Sequence, residues 1–336
     1  MNLKRAMDKF SSATRSDAFA RYEKGFAERI NAALSQAYAR NQPEPELVQI
    51  VERVVNNLGN FPLMGNALNF RLSTMSAFIH GNKSQVEFRC YGKRTQVELG
   101  DLLFVMTVVL GGERSFEKLT INQFKRDGRS RRGVSWAIRN RAQLYLLSRF
   151  PRFRGVRGSI VPAREYALPN YSGCLGSYGL LYRPGEFTFV SGTEVDAILA
   201  HRNVLRKQEL YSMTQYADTC SFPFRCAACS PFCNHQHAYN TFDFAHRFLR
   251  VGIGEPVFTM GGPDNSQAKG LLHDLLSEIR IRARRDGRPE LLGIVDRFFR
   301  YAYPEAGGPD DFPEIRESDS EGGGIGVIHT VLDLGE

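Results

Sequence analysis

Three residues able to hold a divalent cation and steer a water molecule stand at the ends of two apolar segments between Val97 and Arg126, VELGDLLFVMTVVLGGERSFEKLTINQFKR. Asp101 opens the first segment, and Gln123 and Lys125 close the second. A carboxylate, an amide or main-chain oxygen and several waters make a weak octahedral Mg²⁺ site. A neighbouring lysine can orient or deprotonate the attacking water and offset phosphate charge. The chemistry such a set suits is metal-assisted phosphodiester hydrolysis.

The elements that must position them are strands. Residues 99–110 and 118–124 are apolar and β-rich, and Gly111-Gly112 between them predicts a turn, so the stretch reads as an antiparallel hairpin. Alternation along a strand puts Gln123 and Lys125 on one face and Phe124 on the other. Asp101 opens the first strand at the end away from the turn. In-register pairing then brings the acid, the amide and the ammonium together beside the main-chain carbonyl of Phe124. Glu98, three residues earlier, falls by the same count on the face opposite Asp101. The alternative reading is a strand edge protected by charge, with Lys125 and Asp101 as its gatekeepers.

An acid on one strand followed by Gln-x-Lys on the next resembles the PD-(D/E)XK nuclease superfamily, whose second element is (D/E)-x-K. Here the motif is Asp101 with Gln123-Phe124-Lys125, and glutamine replaces the usual acid. The Q-x-K form is similar to that of Mrr-like type IV restriction endonucleases. The resemblance spans residues 45–150. It implies an α/β fold with a restriction-endonuclease-like mixed β-sheet core flanked by helices, and a Mg²⁺ (or Mn²⁺) ion held by Asp101 and Gln123. It also implies a water positioned by Lys125 and, from a helix ahead of the core strands, an assisting acid at Glu52. On an ordinary amphipathic helix Glu52 is instead a solvent-facing residue beside Arg53.

The chain of 336 residues carries a formal net charge of +8, and the charge is unevenly spread. Between Gly112 and Tyr166 stand fourteen Lys and Arg against four acids, a local net of +10. Such a field attracts a polyanion and makes its binding sensitive to salt. Arg126, Arg129, Arg131, Arg132 and Arg139 are candidate phosphate contacts. Gln143 on the helix expected over 136–150 is either a further contact to the nucleic-acid backbone or a neutral surface residue. Nucleic acid, DNA ahead of RNA, is the expected partner, with a protein partner or homo-oligomer also open. No apolar run reaches eighteen residues and the first residues lack a secretory h-region, so no membrane is expected and the location reads as cytoplasmic.

Apolar residues at helical spacing predict helices over 17–40 and 45–58, then a first core strand over 86–91. Further strands are expected at 159–161, 180–182 and 186–190, and helices over 239–249, 267–284 and 290–301. GCLGSYG (residues 173–179) lacks the lysine and hydroxyl of a phosphate loop, so its glycines read as turn residues. Four cysteines crowd together as Cys220, Cys226, Cys229 and Cys233, with His235 and His237 beyond. Cys226-Ala-Ala-Cys229 has the spacing of a zinc-knuckle arm; the set suits Zn²⁺, an iron–sulfur cluster less well, or reduced structural thiols. From Glu305 to Glu336 nine acids face one base, Arg316. The expected organisation is a nuclease-like core (1–157), an additional α+β C-terminal segment carrying the Cys/His loop (158–304) and an acidic Gly-rich tail (305–336). The strand pattern of 325–334 would dock on the sheet, on a partner, or on the basic face.

Overall fold

The computed structural model describes residues 3–60, 71–78, 84–128, 133–157, 164–168, 170, 173–212, 238–262, 265–285, 287–289, 292–293, 295–296 and 325–335. At its centre is the expected hairpin. Strand β4 (Leu102–Leu110) turns at Gly111 and Gly112, both at positive φ (59° and 78°), and returns as β5 (Glu113–Arg126). Strand β13 (Gly326–Asp333) lies parallel to β4 on its other side, and β1 (Arg71–Phe78) pairs antiparallel with β13. From β5 the chain passes through helix α4 (Arg141–Arg149) to β9 (Gly176–Tyr182), which is parallel to the C-terminal half of β5. Strand β10 (Glu186–Ser191) follows antiparallel to β9, and β12 (Glu255–Thr259) borders the N-terminal half of β5. The product is a mixed sheet of seven strands in the order β1-β13-β4-β5-β9-β10, with β12 beside β5.

Both faces of this sheet are covered, which is why β4 is buried along its whole length and apolar at every position but Thr107, rather than alternating. Leu102, Phe104, Met106, Phe124, Leu181, Phe187 and Phe189 point to one side. There they pack under α1 (Leu3–Thr14), α2 (Asp17–Ala39), α3 (Glu44–Asn56) and α6 (Thr241–Leu249). The α2 stripe of Phe19, Tyr22, Phe26, Ile30 and Leu34 is buried as its spacing predicts. On the other face, Leu103, Val105, Leu119, Ile121, Tyr178 and Leu180 meet α4, α5 (Gly192–Leu199) and α7 (Ser266–Arg285). A second sheet joins them, ordered β3-β2-β7-β8 from Lys93–Glu98, Gln85–Cys90, Phe153–Arg157 and Glu165–Tyr166.

A buried polar row fixes the register of the central strands. His329 Nε2 lies 2.8 Å from Thr107 Oγ1, whose hydroxyl donates to Glu117 Oε2 at 2.9 Å, and Arg114 pairs with Glu117 at 3.3 Å. A one-residue slip would leave a carboxylate uncompensated in the core, at a cost of about 3–5 kcal/mol. That register sets Leu102 against Asn122 and therefore Asp101 beside Gln123.

Three expectations are corrected by the architecture. The strand at 86–91 is not in the central sheet: Val86, Phe88 and Cys90 face inward from the second sheet, because its partners are β3 and β7. The helix begins at Arg141 rather than Trp136, since residues Ser135–Ala137 form a short strand, β6, paired with β11 (Val204–Arg206). Gly176 and Gly179 are strand residues rather than turn residues. The central sheet takes β9, β10, β12 and β13 from residues beyond 157. Residues 159–161 and most of 290–301 lie outside the described residues, as does the whole Cys220 to His237 cluster.

Gly179 pairs with Phe124, and a Cβ there would come within 2.3 Å of the Phe124 ring. Overpacking of this kind costs about 1–3 kcal/mol. Gly179→Ala is expected to lower the thermal midpoint by several degrees, and a midpoint equal to that of the parent would refute the close approach.

Candidate active site

Asp101 sits where β3, in the second sheet, hands over to β4, in the first. Gly100 permits the crossing: a Cβ at that position would stand 2.9 Å from Ile121 Cγ2 and 3.1 Å from the Asn122 carbonyl oxygen. Two main-chain hydrogen bonds then clamp Asp101, its N–H to Asn122 O at 2.8 Å and its carbonyl accepting from Gly326 N at 2.9 Å. The side chain points along the open end of the hairpin. Its Oδ2 accepts from Gln123 Nε2 at 2.5 Å and from the Phe124 N–H at 2.6 Å. The acid and the amide of the Gln-x-Lys motif are thus in direct contact.

Lys125 is in electrostatic reach of Asp101 but bonds elsewhere. Its Nζ donates to Glu44 Oε1 at 2.6 Å, and the other oxygen of the same carboxylate accepts from the Arg126 N–H at 2.8 Å. Glu44 opens α3, where the unpaired N–H groups of the first turn favour a negative charge. The helix ahead of the core strands does deliver an acid to this place, but it is Glu44 and not Glu52. Glu52, two turns further along α3, accepts a hydrogen bond from Ser76 Oγ on β1 at 2.6 Å, and β13 separates that strand from β4. Sequence reasoning missed Glu44 because its contact with Lys125 spans 81 residues; Pro43 and the acids of a first helical turn were the available signal.

Burial is the main influence on Asp101, pushing its carboxyl up to about 6. The Phe124 N–H and the Lys125 ammonium pull it down, while Glu44 and Glu98 push it up. By surface area Asp101 is only partly covered, so close packing rather than full enclosure is what removes its water. Tyr178 pairs with Gln123 across β5 and β9; burial first, then Asp101 and Asp196, hold its phenol protonated.

Of the expected phosphate contacts, Arg139 is exposed and lies ahead of α4, just before its N-cap Asn140. Arg126 is engaged within the fold: its guanidinium donates to Asn41 Oδ1 at 2.9 Å and lies 5.3 Å from the Tyr38 ring centroid. Gln143 is not a surface residue. It is 5% exposed because α4 turns that position toward the sheet, and its Nε2 has no hydrogen-bond partner. Arg129, Arg131 and Arg132 lie outside the described residues.

The donor set suits a Mg²⁺ or Mn²⁺ ion of the open kind, bound through one or two carboxylates and otherwise by water. Burial raises the cost of the bare Asp101 carboxylate, a cost that a bound cation would offset, and the Gln123 N–H₂ on Asp101 leaves the amide oxygen as the group's remaining donor to a cation. Among the described residues no three His, Cys, Asp or Glu side chains converge, so a closed structural-metal cage is not formed there.

Compared with protein-family models, with curated proteins and with solved structures, the chain matches none. Among the described residues no helix is long and apolar enough to cross a membrane.

Proposed function

We propose that the protein is a metal-dependent nuclease with a restriction-endonuclease-like core, an endonuclease acting on DNA ahead of RNA, in a setting such as bacterial defence. The observation that carries this reading is the 2.5 Å contact between Asp101 and Gln123 in a strand register that sets Lys125 two residues further on. Asp101 and Gln123 would hold the divalent ion, which would polarise the phosphate and make bound water a stronger nucleophile. Lys125 orients the attacking water and offsets charge on the phosphate. Glu44 keeps the ammonium in place through the 2.6 Å contact and yields it as substrate enters. Hydrolysis adds water across the phosphorus–oxygen bond, and Asp101 is ionised at neutral pH to take part.

Supercoiled, linear and single-stranded DNA, and RNA, incubated with Mg²⁺ or Mn²⁺ test the proposal. Lys125→Ala is expected to slow cleavage by about 10²-fold or more, and cleavage at the parent rate would remove Lys125 from the mechanism.

A second reading is favoured by one observation: Asp101 and Lys125 already have protein partners, and Gln123 stands where an acid is usual. On that reading the protein is a non-catalytic nucleic-acid-binding module or a subunit of a larger complex, and binding without cleavage in every metal supports it.

A further inference from the structure

The hairpin β2–β3 turns at Tyr91 and Gly92, both at positive φ (48° and 80°). A two-residue turn of this hand favours Asn, Asp or Gly at its first position, where a side chain bearing a Cβ is strained. Tyr91 occupies it and is 78% exposed, the most exposed large apolar side chain among the described residues. Its ring leans at 5.1 Å on Tyr145, which stacks at 6.2 Å on Phe88, so the aromatic is held up from beneath.

Just below the tip the strands break a second local rule. Arg89 pairs directly with Arg94, both exposed, and like charges opposite one another destabilise a hairpin. Lys93, paired with the inward-facing Cys90, adds an exposed cation on the ring's side of the tip, and Arg154 of β7, part-exposed, stands beside Glu87 at the far side of β2. Glu87 offsets part of this charge, at 2.7 Å from Arg154 and 3.9 Å from Arg94. Alternation along the strands puts Arg89 and Arg94 on the face opposite Phe88, so the strained, water-facing ring and the paired guanidiniums stand on the two sides of one narrow tip, a poor solution for an isolated hairpin. It becomes a good one when an anion with a flat face sits on it.

We propose that the β2–β3 tip is a docking platform for single-stranded nucleic acid: an unpaired base stacks on Tyr91, and Arg89, Lys93 and Arg94 hold the flanking phosphates. This rests on the nucleic-acid part of the reading above, not on cleavage. An intact duplex offers no unstacked base, and an acidic peptide would answer the cations while leaving the ring unused. Strand β3 runs from the platform into Asp101, eight residues from Lys93 and so at most about 26 Å away.

Fluorescence anisotropy of the full chain in EDTA tests this, with a fluorescein-labelled single strand of roughly 16 nucleotides, a generous site size for one such groove, its RNA equivalent and its duplex. Tyr91→Ala is expected to weaken single-strand binding about tenfold and leave duplex binding unchanged, while Tyr91→Phe binds like the parent. Arg94→Glu weakens single strand and duplex together and flattens the salt dependence. Tyr91→Asn separates stacking from folding: it suits the left-handed position and should melt higher, yet bind as weakly as the alanine variant. Unchanged single-strand affinity in both Tyr91→Ala and Tyr91→Asn overturns the proposal, as does equal weakening for the duplex or no single-strand binding by the parent. Cleavage that persists alongside indifferent Tyr91 variants would sink the platform and spare the nuclease. Tyr91-dependent binding by a protein that cleaves nothing would do the reverse.

Discussion

A chain ending at Gly324 is expected not to fold. Strand β13 contributes eight residues to the interior of the central sheet, pairing with β1 on one side and β4 on the other. Its removal uncovers two strand edges whose N–H and C=O groups lie in the core, each group costing about 1–3 kcal/mol if left unpaired. It also removes Ile325, Val327, Ile328, Val331, Leu332 and Leu334, all buried. At about 1.5–3 kcal/mol for each apolar side chain, the loss exceeds the roughly 5–15 kcal/mol that holds a domain together. Far-ultraviolet circular dichroism and size exclusion check the outcome, and a monomeric fragment with native-like strand signal would contradict the central position of β13. A cut after Glu305 is expected to behave in the same way.

Asp101→Asn is expected to move activity and stability in opposite directions. Cleavage should fall by about 10³-fold or more, as when a charge-stabilising group is removed from an active site. Stability should rise at neutral pH. The folded carboxyl titrates near 6, above the ordinary aspartate value of 3.8, so between those values the native state binds more protons than the unfolded chain. Stability associated with the protonated group is therefore fully present below about pH 4 and lost as pH rises through about 6. Parent and variant should melt together at pH 4, and the variant higher by a few degrees at pH 8, corresponding to on the order of 2 kcal/mol. Mg²⁺ should raise the melting temperature of the parent at pH 8, much less at pH 5, and that of the variant at neither. A parent melting curve indifferent to Mg²⁺ at pH 8 would remove Asp101 as the ion's ligand.

The part of the site carried by one hairpin was legible in the chain. Gly111-Gly112 marks the turn, the apolar runs mark the strands, and the count between them sets Asp101 against Gln123 without knowledge of anything else. What depends on distant partners was not. Glu44 reaches Lys125 only because α3 crosses the end of the sheet, and a helix read alone offers Glu44, Glu46 and Glu52 on equal terms. Gln143 looked like a surface residue because α4 carries arginines at both ends, although the polar side chain between them faces the sheet. Residues 86–98 show the period of a hairpin, and that pattern is the same whether the hairpin joins the main sheet or a second one. Asp101 owes its position to this ambiguity, since it stands at the crossing from one sheet to the other.

The late arrival of β13 has a consequence for how the protein is made. Phe78 and its partner Gly326 are 248 residues apart in sequence. At roughly 5–20 residues per second, a ribosome needs on the order of tens of seconds to deliver the second after the first. Throughout that interval the nascent chain carries the Asp101 loop without the Gly326 N–H that ties its carbonyl at 2.9 Å. On the nuclease reading proposed above, this timing would keep the half-synthesised polypeptide harmless, because the Asp101 loop is tied down only when the segment that completes the sheet has been made.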